Sequence, residues 1–402
     1  MTTLQNNPVP QAPVPQPDEA GRLGRYLEGV RAVVGMELCQ RMRSRGWYIM
    51  LVIWFGLIWL VTALTWISWK AQEQSRLSWD PGTVSAGPGA LIFEIVIAFV
   101  LLFGLLVAPA FSANAISGDR SAGTLAIMQV TLLRSGQLLW GKFLASWIVA
   151  LAFLVVSAPF LIYGIAQGGL GFGYIFIVLL MLGVELGVAC ALGVGLSALV
   201  NRPLFSIVVT YLVVAALTFG TLIAFGLGAS VSNGTVQVNS VYYKNVYYQN
   251  MGGAPGQDPE MYPPAPAPGE ITDENAEYIC FGPVRSQPAV RTERVAWMLA
   301  MNPFVVVADA IPYPNGKSQE QPLFPSGIFG TISQSARFAQ AGPDVTNPCV
   351  DGKVPASSFD HQVPLWPLGL GLQLVLAAGI LALGWRALRT PAGRLPKGTR
   401  IA

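Results

Sequence analysis

Ala108-Pro-Ala-Phe-Ser-Ala-Asn-Ala-Ile-Ser-Gly-Asp-Arg-Ser-Ala-Gly-Thr-Leu-Ala-Ile-Met-Gln-Val-Thr-Leu-Leu-Arg-Ser-Gly-Gln-Leu-Leu-Trp-Gly-Lys142 joins two long apolar runs. Within it Asp119, Arg120, Arg134 and Lys142 stand among small residues and turn formers, around a short apolar piece. The flanking runs, Ala90–Phe111 and Phe143–Ile165, each supply the roughly 20 apolar residues that a bilayer crossing needs. The stretch therefore connects two membrane spans. Composition agrees: 53% of the residues are hydrophobic and 11% charged, and mean hydropathy is +0.51, whereas soluble domains carry about a quarter charged residues. The fold class is an all-α polytopic membrane protein.

Working outward, further spans are expected at Trp47–Trp69, Tyr174–Leu199, Leu204–Leu227 and Leu365–Leu388, six in all. Six crossings put both termini on one side. The termini with the second and fourth connections hold 15 of the 24 Lys and Arg residues, so the positive-inside bias makes that side cytoplasmic. The short connections on the opposite side carry only Lys70 and Arg76, near the first span. Residues 1–20 are rich in Pro, Asn and Gln and read as a disordered cytoplasmic tail. Residues 21–46 repeat Leu23, Leu27, Val30, Val34, Leu38 and Met42 at helical steps among six arginines. That pattern predicts an amphipathic basic helix resting among lipid headgroups before the first span. Residues 47–228 then hold spans one to five, with the connection 112–142 between the second and third, and 365–402 hold the sixth span and a basic tail.

Residues 229–364 form one long connection on the outer side, with seven basic and twelve acidic residues; long loops translocate regardless of charge. Its alternating Val236, Val238 and Val241 with nearby tyrosines predict one or two strands or a hairpin. Met251–Gly269 is a Pro/Gly linker. Residues 291–311, broken at Pro303, suit two short helices on the outer membrane face, and the remainder to Pro364 reads as irregular. Four cysteines lack C-x-x-C spacing. Cys280 and Cys349 share the outer loop, so a disulfide is expected there, with two free thiols the alternative. The lone histidine, His361, excludes a His-cluster metal site.

Gly136-Gln-Leu-Leu-Trp-Gly141-Lys142-Phe143 nearly matches the phosphate-binding G-x-x-x-x-G-K-[ST] loop. The intervening residues are bulky, Phe143 replaces the required hydroxyl and no strand precedes, so the match is rejected. No catalytic set can be assembled from the side chains present, which argues against an enzyme. Two carboxylates lie within spans, where an ionisable group is a functional candidate. Glu94 sits near the outer end of the second span, close enough to reach headgroups, and reads first as structural. Glu185, midway along the fourth, reads either as a translocation-path residue or as one bonded to a neighbouring helix. Gly183, Gly187, Ala191 and Gly195 recur every four residues around it and form a smooth helix-packing face.

The order of features resembles the membrane subunit of ATP-binding-cassette type-2 exporters. That family shows an Ile-Ser-Gly-Glu-Arg-x-x-Gly-Thr-Leu run followed by a Gly-Lys entering the next span. This chain has Ile116-Ser117-Gly118-Asp119-Arg120-Ser121-Ala122-Gly123-Thr124-Leu125, then Gly141-Lys142. Asp119 stands where Glu is usual, and Asn302-Pro303-Phe304 resembles a segment common before the last span. The likeness covers the six spans loosely and about thirty residues well. The extended outer loop departs from the pattern.

The resemblance implies a permease without its own cofactor. A cytoplasmic nucleotide-binding subunit would hold ATP and magnesium, and a second permease, identical or homologous, would complete the path within the lipid bilayer of the cell membrane. Nucleic acid has no part in it. Ser117, Gly118, Asp119, Arg120, Gly123, Thr124, Leu125, Arg134, Gly141 and Lys142 would couple ATP hydrolysis to transport, with Ser117–Thr131 as the coupling helix. Physical reasoning adds a start capped by Ser117, with Asp119 near the positive helix end. Two other readings stay open: an ion-coupled carrier using Glu185, and a receptor or assembly module anchored by its spans.

Overall fold

The computed structural model describes residues 19–79, 87–124, 134–168, 172–243, 278–311, 327–347, 349–351 and 363–389. Residues 1–18 of the predicted N-terminal tail, the Pro/Gly linker, Leu125, the apolar piece through Leu133, His361 and the C-terminal tail lie outside them; the last two tail residues, Glu19 and Ala20, are instead helical.

The chain opens with helix α1 (Glu19–Met42). Spans follow as α2 (Arg45–Trp79), α3 (Gly89–Ser112), α5 (Ser135–Gly168) and α6 (Phe172–Leu199); the short α4 (Ser117–Ser121) lies between the second and third. The fifth span is α7 (Pro203–Ala215), a π-helical turn (Ala216–Gly220) and α8 (Thr221–Val231). Among the described residues six helices are long and apolar enough to cross a membrane, as the apolar runs predict. The fourth span is the most enclosed, buried against the second, third and sixth. A helix apolar on all sides belongs in the centre of a bundle.

The small-residue face of α6 is real but serves two neighbours. Trp147 Nε1 of α5 donates to Gly183 O at 2.8 Å, and a Cβ on Gly187 would meet the same indole at 3.1 Å. Further along, a Cβ on Gly195 would lie 2.7 Å from Ile380 of the sixth span, while Ala191 packs with Val188, Leu217 and Ala377. A four-residue step overshoots a helical turn by about 40°. Four such residues therefore wrap from the third span to the sixth.

Outside the spans, β1 (Asn233–Tyr243) pairs antiparallel with β2 (Tyr278–Val290), Val241 opposite Cys280. The first strand lies where alternation placed it; its partner comes from beyond the linker. Pro283 and Pro288 in β2 are tolerated because a two-stranded ribbon has only edges. The Cys280–Cys349 disulfide is formed, with Cα atoms 5.6 Å apart, and Val350 forms an isolated bridge to Val238.

The two short helices on either side of Pro303 are α9 (Ala296–Ala300) and α10 (Pro303–Ala310). Asn302 caps α10, accepting from Phe304 N at 2.9 Å. This pair does not simply rest on the membrane face. Ala300, Val306, Val307 and Ala308 are fully buried, because α10 packs against the fourth and sixth spans. The remainder of the loop, expected to be irregular, contains two further helices among its described residues, α11 (Ile328–Ala341) and α12 (Pro343–Thr346). The last span is α13 (Trp366–Leu388).

Candidate coupling site

One end of the bundle gathers α1, α4, the end of α3, the start of α5 and the end of α6. The connection is stapled there by polar contacts. Ser197 Oγ, fully buried near the end of α6, accepts from Ile116 N at 3.0 Å and Ser117 N at 2.9 Å. The helix α4 is therefore capped from another span. Its N-cap residue is Ile116, and the Ser117 hydroxyl contacts Ser197 Oγ and Asn114 Oδ1 instead of capping its own helix. The expected self-cap at Ser117 is thus corrected: Ser197 fills the role, held at the depth where the chain re-enters the bundle.

Arg120 reaches back to the end of α6. It donates to Ala198 O at 3.1 Å, Val200 O at 3.2 Å and Asn201 Oδ1 at 2.6 Å. A guanidinium suits those carbonyls, which lack partners at a helix C-terminus and carry its negative dipole. Gly118 packs on Asn114, where a Cβ would come within 2.8 Å of the side-chain oxygen. Gly123 ends the turn at φ +76°, the left-handed conformation that glycine adopts without steric cost. Thr124 Oγ1 donates to Asp119 O at 3.2 Å.

Asp119 turns the other way, toward Lys142. The lysine side chain is 1% exposed and its Nζ lies 2.5 Å from Asp119 Oδ2 and 2.6 Å from Glu37 Oε1 of α1. Two carboxylates around one desolvated ammonium offset the cost of its burial. Glu37 also sits 3.8 Å from Arg41, whose Nη2 donates to Phe111 O at 3.3 Å beneath the Phe111 ring. Burial pulls the Arg41 guanidinium below its usual pKa, with Glu37 opposing that shift. A single network thereby links α1, α3, the connection and α5.

Lys142 lies one full turn and more inside α5, and the preceding Gly141 lets α1 approach: a Cβ there would sit 2.6 Å from Val33 Cβ. Gln137 completes the joint. It accepts from Arg134 N at 2.7 Å, the back half of a capping box, and donates to Tyr26 O at 3.1 Å. The near-match to a phosphate loop is accordingly helical from Ser135, its lysine held by carboxylates. The inward face of α1 carries Val30, Val33, Glu37 and Arg41. Leu23, Leu27 and Met42 of the predicted stripe are exposed.

The family model for "ABC-2 family transporter protein" matches residues 31–308. The chain belongs to this family. It is a multi-pass ABC-2 permease, a membrane subunit of a kind that associates with a cytoplasmic ABC ATPase. The match takes in α1 from Arg31, the ion-paired connection, spans one to five and the Asn302-Pro303-Phe304 segment. A search of curated proteins finds no match.

Sequence reasoning missed the roles of two polar residues that organise the opposite end of this ABC-2 permease. Asp309, 2% exposed, accepts from Ser333 Oγ at 3.0 Å, Arg337 Nε at 2.6 Å, Leu365 N at 2.6 Å and Trp366 N at 3.0 Å. It caps the last span and ties it to α11. Asn302 Nδ2 donates to Thr218 O at 2.6 Å and Thr221 Oγ1 at 3.0 Å, beside the π-helical turn that widens the fifth span. Asn302 was legible only as part of a motif, and Asp309 by its position inside an apolar run. Glu94 is buried instead of reaching headgroups. It accepts from Phe329 N at 3.4 Å, so the second span supplies the N-terminal anchor of α11.

Proposed function

We propose that this chain is the permease half of an ATP-driven exporter. It works on a separate cytoplasmic ATPase that binds ATP and magnesium, and it pairs with a second permease, identical or homologous, in the cell membrane. Both termini are then cytoplasmic. The observation that carries the reading is the Asp119–Lys142–Glu37 network. It makes the connection after the second span continuous with α1 and α5, so displacement of the connection by a partner moves two spans and the N-terminal helix together.

This refines the roles of the residues in the motif. Asp119, Arg120, Ser117 and Lys142 transmit force from inside the chain. The surface offered to the ATPase is the exposed Ser121, Ala122 and Thr124, continuing toward Leu125 and Arg134. The orientation is supported by the basic residues at this end and by a disulfide at the other, which suits an oxidising compartment.

Mild solubilisation should co-purify a nucleotide-binding subunit, and the assembly in vesicles should move cargo only with hydrolysable ATP. Transport by the permease alone, unaffected by ATP depletion, would overturn the reading. In the assembly, Asp119→Ala with Arg120→Ala should leave ATP hydrolysis measurable while transport falls at least tenfold; unchanged transport would remove the coupling role.

A further inference from the structure

Glu185 lies in the fourth span at 1% exposure, and its Oε1 has no hydrogen-bond partner. Gln373 of α13 is fully buried and lines the same small cavity as that carboxyl. Gln373 Nε2 donates to Met301 O at 3.1 Å, between α9 and α10. Since Met301 O only accepts, the amide cannot be reversed without losing this bond. Gln373 Oε1 is likewise a buried oxygen without a hydrogen-bond partner.

The two side chains border a cavity of about 10 Å³, enough for a single water. The second, fifth and sixth spans contribute Leu105, Val214, Leu217 and Gln373 to its wall, and α10 contributes Pro303. Among the described residues no other titratable or charged side chain lines it. An ionised carboxylate here would lack a counter-charge and a sufficient set of donors. A metal cation would need more oxygens than these walls offer. One hydrogen would remove the difficulty: as the neutral acid, Glu185 could donate an O–H bond toward Gln373 Oε1 on the same cavity, so that both orphan oxygens gain a partner.

We propose that Glu185 and Gln373 form a proton-binding site in the middle of the membrane, in which bound proton joins the fourth span to the sixth. Through Gln373 and Met301 O the same proton holds the α9–α10 pair onto the bundle. Losing it sets an unpaired charge against Gln373 and loosens that pair. The inference concerns this internal joint and goes beyond the reading of the chain as an exporter subunit.

The test uses the full chain in lipid vesicles. Infrared spectra at neutral pH should contain a protonated-carboxyl C=O band that shifts in heavy water, disappears in Glu185→Gln and persists when sodium is exchanged for potassium. Dicyclohexylcarbodiimide should label Glu185 by adding the acid O–H across its C=N bond, and mass spectrometry should locate the adduct. The midpoint of thermal unfolding should fall as pH is raised in the native chain and lose that dependence in Glu185→Gln, which stays neutral and keeps a donor. A spectrum unchanged by Glu185→Gln, a band abolished by sodium, or equal pH dependence in both proteins would overturn the proposal. Because none of these readouts involves ATP, their outcome is separate from the test of the exporter reading.

Discussion

Lys142 Nζ and Asp119 Oδ2 meet at 2.5 Å inside one end of the bundle, although one belongs to a span and the other to the connection before it. Removing the lysine leaves Asp119 without its cation and Glu37 with only the more distant Arg41, at 3.8 Å. Breaking a buried pair from one side costs about 3–5 kcal/mol, so Lys142→Met should lower the unfolding midpoint markedly. Lys142→Met with Asp119→Asn should be less destabilised than the sum of the single variants. A double-mutant cycle on thermal melts measures the difference, and strict additivity would deny the pairing.

Ser197 serves a helix 81 residues earlier in the chain. Ser197→Ala strands the N–H groups of Ile116 and Ser117, at a cost of about 1–3 kcal/mol. Hydrogen exchange at those amides should accelerate while the core of the fourth span stays protected.

Asp309 satisfies two side chains and the first amides of the last span. Asp309→Ala takes the carboxylate from Arg337 and uncaps α13, and should cost roughly 3–5 kcal/mol. Asp309→Asn retains an acceptor and should be milder. Melting of the two variants side by side checks the order.

The Cys280–Cys349 bridge closes a separation of 69 residues. Replacing both by Ser should destabilise the outer portion by about 2–4 kcal/mol. In intact cells, thiol labelling after external reduction should reach both cysteines; labelling only from the cytoplasmic side would reverse the proposed orientation.

Gly195→Leu drives a side chain into Ile380, where even a Cβ would be 2.7 Å away. Overpacking of this kind costs about 1–3 kcal/mol, and slower disulfide cross-linking between cysteines placed on the fourth and sixth spans would report the separation. Gly183→Ala should be better tolerated, since its nearest neighbour is Leu151 at 3.4 Å.

Much of this site could be read along the chain. The Ser117–Leu125 motif, Gly141-Lys142 and the basic α1 all stand in local order, and they lie together at one end of the bundle. What could not be read was direction. Asp119 and Arg120 are adjacent in sequence, yet one turns to α5 and the other to the end of α6. Successive helical residues point about 100° apart, so neighbours in a motif find different partners. The β1 partner was missed for a related reason: alternation marks a strand but not which distant segment completes its ladder.

The sequence by itself determined the six crossings, the asymmetry of basic charge and the Pro303 break, because insertion cost and helix interruption depend on residues within one turn or one span. Only the tertiary structure decided which partner each buried polar group received: Lys142 with Asp119 and Glu37, Glu94 with the start of α11, Asp309 with the start of the last span, Glu185 beside Gln373. A polar group taken out of water must find its complement wherever packing brings one within about 3 Å, and that distance is set by the bundle and not by position along the chain.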